Sequence, residues 1–237
     1  MTVGASYDAL ASEYYDRERH PTCANFRDAS LIIARTLLTT IESPEGLWCD
    51  VGAGDSVLAD AMKHLHVVSP NGAVALDESV GMLAHTKTSK LRFVQRVVGR
   101  VESLPLRDDS VGLLLAALGD PYNRFAFWQE AARVVRVGGY VCFTTPSFAW
   151  AHQFRTGIEH TAQDKAMFLL KSGEHIAVDS FVLKPTEQIS MAARVGLRLL
   201  RTLIVDREQL PPPLSTKLTS IQEVVTGYVF LRDQGDV

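Results

Sequence analysis

The sequence predicts an α/β protein built on a doubly wound, mostly parallel sheet. Three observations predict it. Short apolar runs alternate with helix-length amphipathic stretches from residue 47 to residue 145, the pattern of βαβ units covered on both faces. The first apolar run, Leu47 to Val51, feeds directly into Gly52-Ala53-Gly54, a small-residue turn of the kind that joins a strand to a helix. The second run, Ala73 to Leu76, ends on the acid Asp77. The length of 237 residues fits one domain of the larger α/β kind.

The elements follow in order along the chain. Tyr7 to Thr39 reads as two helices with a joint near His20-Pro21, because proline disfavours helix at the residue before it. Leu47 to Val51 is the first strand, and Asp55 to His66 a helix capped by Asp55 or Ser56. Ser69-Pro70-Asn71-Gly72 is a turn, Ala73 to Asp77 the second strand, and Ser79 to Lys87 a helix with Ser79 as cap. Arg92 to Val98 and Val111 to Leu118 are the third and fourth strands. Asn123 to Arg136 reads as a helix stopped by Gly138-Gly139, with Tyr140 to Thr145 as strand five.

Beyond Pro146 the rhythm changes. Met167 to Leu170 and His175 to Val178 flank Lys171-Ser172-Gly173-Glu174 and predict a β-hairpin. Pro185 to Val195 is a helix closed by Gly196, and Leu197 to Val205 and Val224 to Leu231 are two more strands. Leu210 to Pro213 between them is extended.

Composition narrows the function. A formal net charge of −3 without a basic stripe argues against a nucleic-acid substrate. Cys23, Cys49 and Cys142 form no disulfide framework and no zinc spacing, so no metal is expected. Met1 to Tyr15 lacks the basic-then-apolar order of a secretory signal, and no apolar run reaches membrane-helix length. A cytoplasmic protein with no membrane partner is the expectation.

Gly52 and Gly54 remove the Cβ atoms that would keep a ligand off the backbone, and the free N–H groups of the next helix can receive a polar group. Taken alone, Gly-x-Gly is also consistent with a tight turn that binds nothing. Val57 stands where a dinucleotide fingerprint has its third glycine, so a pyrophosphate fits less well than a cofactor without phosphate. Asp77 occupies the position that faces a ribose in doubly wound folds.

At this point several segments, in order, resemble the class I S-adenosylmethionine-dependent methyltransferases, in their bacterial small-molecule branch that includes the ubiquinone/menaquinone-biosynthesis enzymes. They are Tyr7 to Asp16, Asp50-Val51-Gly52-Ala53-Gly54, Leu76-Asp77-Glu78-Ser79 with Gly81-Met82-Leu83, Glu102 to Leu106 with Asp108 to Val111, and Glu130 to Gly139. Ser56 replaces the usual last glycine of the first motif. The resemblance implies a Rossmann-like sheet of seven strands with the last antiparallel, which agrees with five strands followed by two. It implies one domain over 1–237, with residues 1–40 as a helical cap and 146–182, including the hairpin, as an insertion on the substrate side. It implies S-adenosylmethionine as cofactor, held by Asp50, Gly52, Ala53, Gly54, Asp77, Glu78, Met82, Val101, Glu102 and Leu118, with Tyr14, Tyr15 and Arg19 covering it from the N-terminal segment. The family usually has an aspartate at the position of Arg100 to read the adenine amino group. An arginine cannot accept that bond; it could stack on the base or point to solvent, leaving Val101 and Glu102 to meet it.

Methyl transfer needs alignment first, and a base only if the acceptor must lose a proton. Asp120, Tyr122, His152 and His160 are the candidate acid/base groups, with His20 behind them. Gly119-Asp120-Pro121-Tyr122 is superficially similar to the Asn/Asp-Pro-Pro-Tyr of amino-methylating relatives, among different neighbours. Phe148, Trp150 and Phe154 offer aromatic surface to a small, partly apolar acceptor. The chain is expected to act as monomer or homodimer. A non-catalytic binder of S-adenosylmethionine or its product, and a nicotinamide-dependent oxidoreductase, are the rival readings.

Overall fold

Five parallel strands form the centre of the computed structural model, which describes residues 3–86, 94–155 and 164–233. They are β1 (Leu47–Val51), β2 (Ala73–Asp77), β3 (Val94–Val98), β4 (Val111–Ala116) and β5 (Val135–Pro146). A hairpin, β6 (Lys165–Leu169) and β7 (His175–Asp179), stands apart as its own two-stranded sheet. β8 (Leu197–Asp206) and β9 (Glu223–Arg232) complete the main sheet in the order β3-β2-β1-β4-β5-β9-β8, with β9 antiparallel to both neighbours. This is the expected seven-stranded, doubly wound arrangement.

The central strands are buried along almost their whole length because both of their faces are covered. Every residue of β2 and β4 is buried. Alternation along β4 divides its side chains: Leu113 and Leu115 pack with α2 (Pro21–Thr40) and α3 (Val57–Leu65) on one face. Leu114 and Ala116 pack with α5 (Phe125–Val134) and α7 (Pro185–Ala193) on the other. A third cluster, Leu10, Phe168, Leu170, Ile176 and Val178, joins the hairpin to α1 (Val3–Leu10). α4 (Val80–Leu83) follows β2, and α6 (Phe148–Arg155) follows β5. Among the described residues no helix is long and apolar enough to cross a membrane.

Several boundaries differ from the sequence reading, each for a local reason. The joint between the first two helices begins at Ala11 rather than at His20. Asp16 accepts the backbone N–H groups of Glu18 and Arg19 at 3.0 and 3.2 Å, an Asx turn that competes with helix. α5 starts at Phe125 because Asn123 spends its side chain on Trp128, Gln188 and the Phe181 carbonyl. It ends at Val134 because Val135 is already extended and paired with Val111. The helix after Ser79 is only four residues long, although Ser79 caps it as expected. The segment after Pro146 contains α6, a helix the sequence reading left out, and Ser147 Oγ accepts the Trp150 N–H at its start.

Candidate functional site

The glycine loop lies where β1 and β4 diverge, at the carboxyl ends of the strands, the place where doubly wound folds bind ligands. Gly52 and Gly54 have φ of +62° and +46°, left-handed conformations that side chains rarely adopt. Close approach also requires them. A Cβ on Gly52 would sit 2.6 Å from the Tyr122 ring, and one on Gly54 2.1 Å from the Tyr15 hydroxyl. The loop is held from below by Asp50, whose Oδ2 accepts Ser56 Oγ–H at 2.6 Å and Leu58 N–H at 3.0 Å. Ser56, not Asp55, caps α3. Complete burial pushes the Asp50 carboxyl up to about 7.

Above the loop opens a cleft of about 810 Å³, its mouth included. Gly52, Ala53, Asp77, Glu78, Met82, Val101, Glu102, Leu118, Tyr14 and Tyr15 line it, so most of the expected cofactor residues come together. Asp77 Oδ2 accepts Gly54 N–H at 2.9 Å and its Oδ1 accepts Ser79 N–H at 2.8 Å. Burial raises the Asp77 carboxyl and the two N–H groups oppose that rise. Each carboxylate oxygen keeps a second lone pair for a ligand hydroxyl. Glu102 borders the cleft with Oε2 buried and without a hydrogen bond among the described residues. Arg100 is more than half exposed, 3.6 Å from Glu102, and does not line the cleft.

Three expected cofactor contacts lie elsewhere. Asp50 is beneath the loop rather than in the cleft, because Ser56 and the α3 backbone claim its carboxylate. Gly54 sits behind Tyr15, its N–H turned to Asp77. Arg19 is drawn into the neighbouring cleft by Glu13, at 2.7 Å.

The cleft also contains residues that sequence reasoning missed. Arg27, on α2, contacts the Asp55 carbonyl at 2.8 Å and Asp60 Oδ2 at 2.7 Å, with its Nε buried and without a hydrogen bond among the described residues. It lines the cleft beside Tyr15, whose hydroxyl accepts the Asp55 N–H at 2.7 Å. Arg27 thus stands at the start of α3 between the carboxylates of Asp55, at 3.3 Å, and Asp60, while Asp77 and Glu102 stand at the ends of β2 and the β3 loop. The only available signal for Arg27 was a lone cation on an otherwise apolar helix face.

A second, larger cleft of about 1280 Å³, mouth included, adjoins the first and shares Tyr7, Tyr14, Leu118 and Pro121 with it. Asp120 lines it, buried, held by Ser180 and by Arg155 at 3.5 Å. Burial raises the Asp120 carboxyl, with Arg155 and Ser180 opposing. His20 also lines this cleft, and burial lowers its pKa against the pull of Glu13. Tyr122 lies in the first cleft and donates its hydroxyl to the Val51 carbonyl at 2.7 Å, and burial pushes its pKa well above the usual phenol value. It is a neutral strut rather than a ready base. His152 lies on the exposed face of α6 beside Phe148 and borders neither of these clefts, because Trp150 and Ala151 take the buried face. His160 lies outside the described residues.

Residues 49–143 match the family described as Methyltransferase domain. A malonyl-[acyl-carrier protein] O-methyltransferase of Marinomonas sp. (strain MWYL1) is 26% identical over 177 residues, 72% of this chain and 61% of that protein. The match therefore spans less than two thirds of the curated relative. Among solved structures, a Haloferax volcanii methyltransferase in complex with the Trm112 activator superposes with a TM-score of 0.69 at 18% identity, covering 98% of each chain. The DhpI–SAM–HEP complex gives 0.65 at 17% identity, covering 96% of this chain and 95% of that one. The chain shares the fold of these methyltransferase structures, and the segment that matches the methyltransferase domain family, residues 49–143, is the one that carries the glycine loop at the switch point.

Proposed function

We propose that the protein transfers a methyl group from S-adenosylmethionine to oxygen, nitrogen or carbon of a small molecule. The observation that carries this reading is the order of groups along the first cleft, with the Arg27 guanidinium and the α3 start at one end and the Asp77 and Glu102 carboxylates at the other. The cofactor would present its groups in the matching order. Arg27 and the α3 start would hold its amino-acid carboxylate, Asp77 its ribose hydroxyls, and Glu102 its adenine amino group. The buried Arg27 Nε and Glu102 Oε2, both without hydrogen bonds among the described residues, are the unmet groups such a ligand fits.

When bound, the cofactor supplies a methyl group already activated by its sulfonium charge. The protein's own task is to orient the acceptor in the second cleft and keep water out. We assign Tyr7, Tyr14, Leu118 and Pro121 to the junction where acceptor and donor meet. Asp120 and His20 are the groups on the acceptor side able to take a proton when the acceptor must lose one. The Marinomonas relative is named for O-methylation, so oxygen acceptors come first in a screen. Three cysteines free of disulfides suit a reducing, cytoplasmic setting.

The test is calorimetric titration with S-adenosylmethionine, S-adenosylhomocysteine and NADH after co-purified ligand has been removed, repeated on Asp77→Ala. The expected result is binding of both adenosyl ligands, loss of that binding in the variant, and no response to NADH. Tight NADH binding with no response to the adenosyl ligands would overturn the proposal in favour of an oxidoreductase. Adenosyl binding without product on a broad acceptor panel would favour a regulator.

A further inference from the structure

The second cleft holds more positive charge than its own carboxylates neutralise. Arg19, Arg155, Lys165 and Lys217 line it. Arg19 pairs with Glu13, Lys165 with Asp179, and Arg155 with Asp120. Asp179 is already shared with Arg124, at 3.1 Å. Lys217 has no carboxylate within ion-pair distance among the described residues.

Arg155 ends α6 with its guanidinium 5.0 Å from the Trp150 ring centre. Its hydrogen bond and ion pair among the described residues, to Ser180 and Asp120, both run from Nη1. Nε and Nη2 form the remaining edge of the fork, the edge that matches a carboxylate in bidentate fashion. Around these cations the wall is aromatic: Phe26, Trp150, Phe154 and Phe168.

We propose that the methyl acceptor is a monocarboxylate with an apolar or aromatic body, its carboxylate received by Arg155 and Lys217 and its body by the aromatic wall. This rests on the methyltransferase reading above. A surplus of one cation suits a monoanion better than a phosphate dianion, and a planar guanidinium edge suits a planar carboxylate. A neutral acceptor would leave Lys217, which is exposed, to water alone and the Nε–Nη2 edge of Arg155 without an anion.

The experiment uses the full chain saturated with S-adenosylhomocysteine, whose own binding is measured first. Matched probes are then titrated by calorimetry: 4-phenylbutyrate, hexanoate and indole-3-acetate, each against its methyl ester, with phenyl phosphate as the dianion. Lys217→Met is exposed and disturbs no packing. Arg155→Leu is made together with Asp120→Asn, so that no carboxylate is left buried alone. The expected result is an acid-over-ester preference of about tenfold or more, the size of one charge-assisted hydrogen-bonded pair. That preference should fall in Lys217→Met and vanish in the double variant, while affinity for S-adenosylhomocysteine is kept. Equal binding of acid and ester, a preference unchanged in both variants, tighter binding of the phosphate, or no acid binding at all would overturn the proposal. Failure to bind S-adenosylhomocysteine would instead remove the cofactor reading on which it rests, before any acid is added.

Discussion

Asp50 should make the protein lose stability as pH rises toward neutrality. Its side chain is wholly buried, Oδ2 carries both of its hydrogen bonds, and Oδ1 has none among the described residues. Burial, the largest influence, lifts the carboxyl from 3.8 to about 7. Native protein therefore holds this proton over a range where the unfolded chain has already released it. Stability falls across that window, by at most about 1.4 kcal/mol per pH unit. Below the unfolded value both states are protonated, and above the folded value both are ionised, so the slope disappears at either end. Asp50→Asn removes the titration and keeps the side-chain shape. Urea midpoints at about pH 5, 6, 7 and 8 should show wild type losing up to about 3 kcal/mol relative to the variant. Using the difference cancels the slopes of other carboxylates, including Asp77 and Asp120, whose raised values act in the same direction. Parallel curves for the two proteins would show that the Asp50 carboxylate is ionised at no cost, and the burial argument would fail.

Two further predictions concern the first cleft. Arg27→Met keeps the apolar stem and removes the cation beside the α3 start, so affinity for S-adenosylhomocysteine should fall about tenfold or more, with adenosine binding unchanged; calorimetry on both ligands separates a carboxylate contact from a general loss of shape. Gly54→Ala places a Cβ 2.1 Å from the Tyr15 hydroxyl at a φ of +46°, so unfolding stability should drop by about 2–4 kcal/mol. Adding Tyr15→Ala should restore only the steric part of that loss, because the backbone strain remains; a denaturant-melt cycle measures both.

The parts that were legible in the sequence are those with short-range causes. The β1 turn needs two glycines at left-handed φ, and Gly52 and Gly54 are adjacent in sequence to the strand they end. Ser79 caps the helix it precedes, and Gly173 turns the hairpin it sits in. What stayed hidden depends on contacts far apart in the chain. Arg27 reaches Asp55 and Asp60 only because α2 packs on α3. Arg19 reads equally well as a cover for the first cleft until Glu13 takes its guanidinium. α6 is eight residues long and rich in aromatics, too short for its periodicity to stand out. The hydrogen bonds of Asn123 to Gln188 and Trp128 shorten a helix that its own residues would extend.

The junction of the two clefts bears on how the proposed transfer would be catalysed. Tyr7 and Tyr14 meet there, and burial raises both hydroxyls well above the ordinary phenol value. Neither is a base near neutral pH, and Tyr122 is already committed to Val51. Leu118, also at the junction, is held at a φ of +53°, with its N–H donated to Thr144 Oγ1 at 2.9 Å. A leucine in the left-handed region costs about 1 kcal/mol or more. Here the β5 threonine, itself hydrogen-bonded to Ser30 on α2 at 2.8 Å, holds it there. Strain at this point fixes the backbone between the two clefts, while the surrounding hydroxyls stay protonated. On the proposed methyl-transfer reading, this arrangement would serve to hold a donor and an acceptor at a set distance and angle rather than to remove a proton.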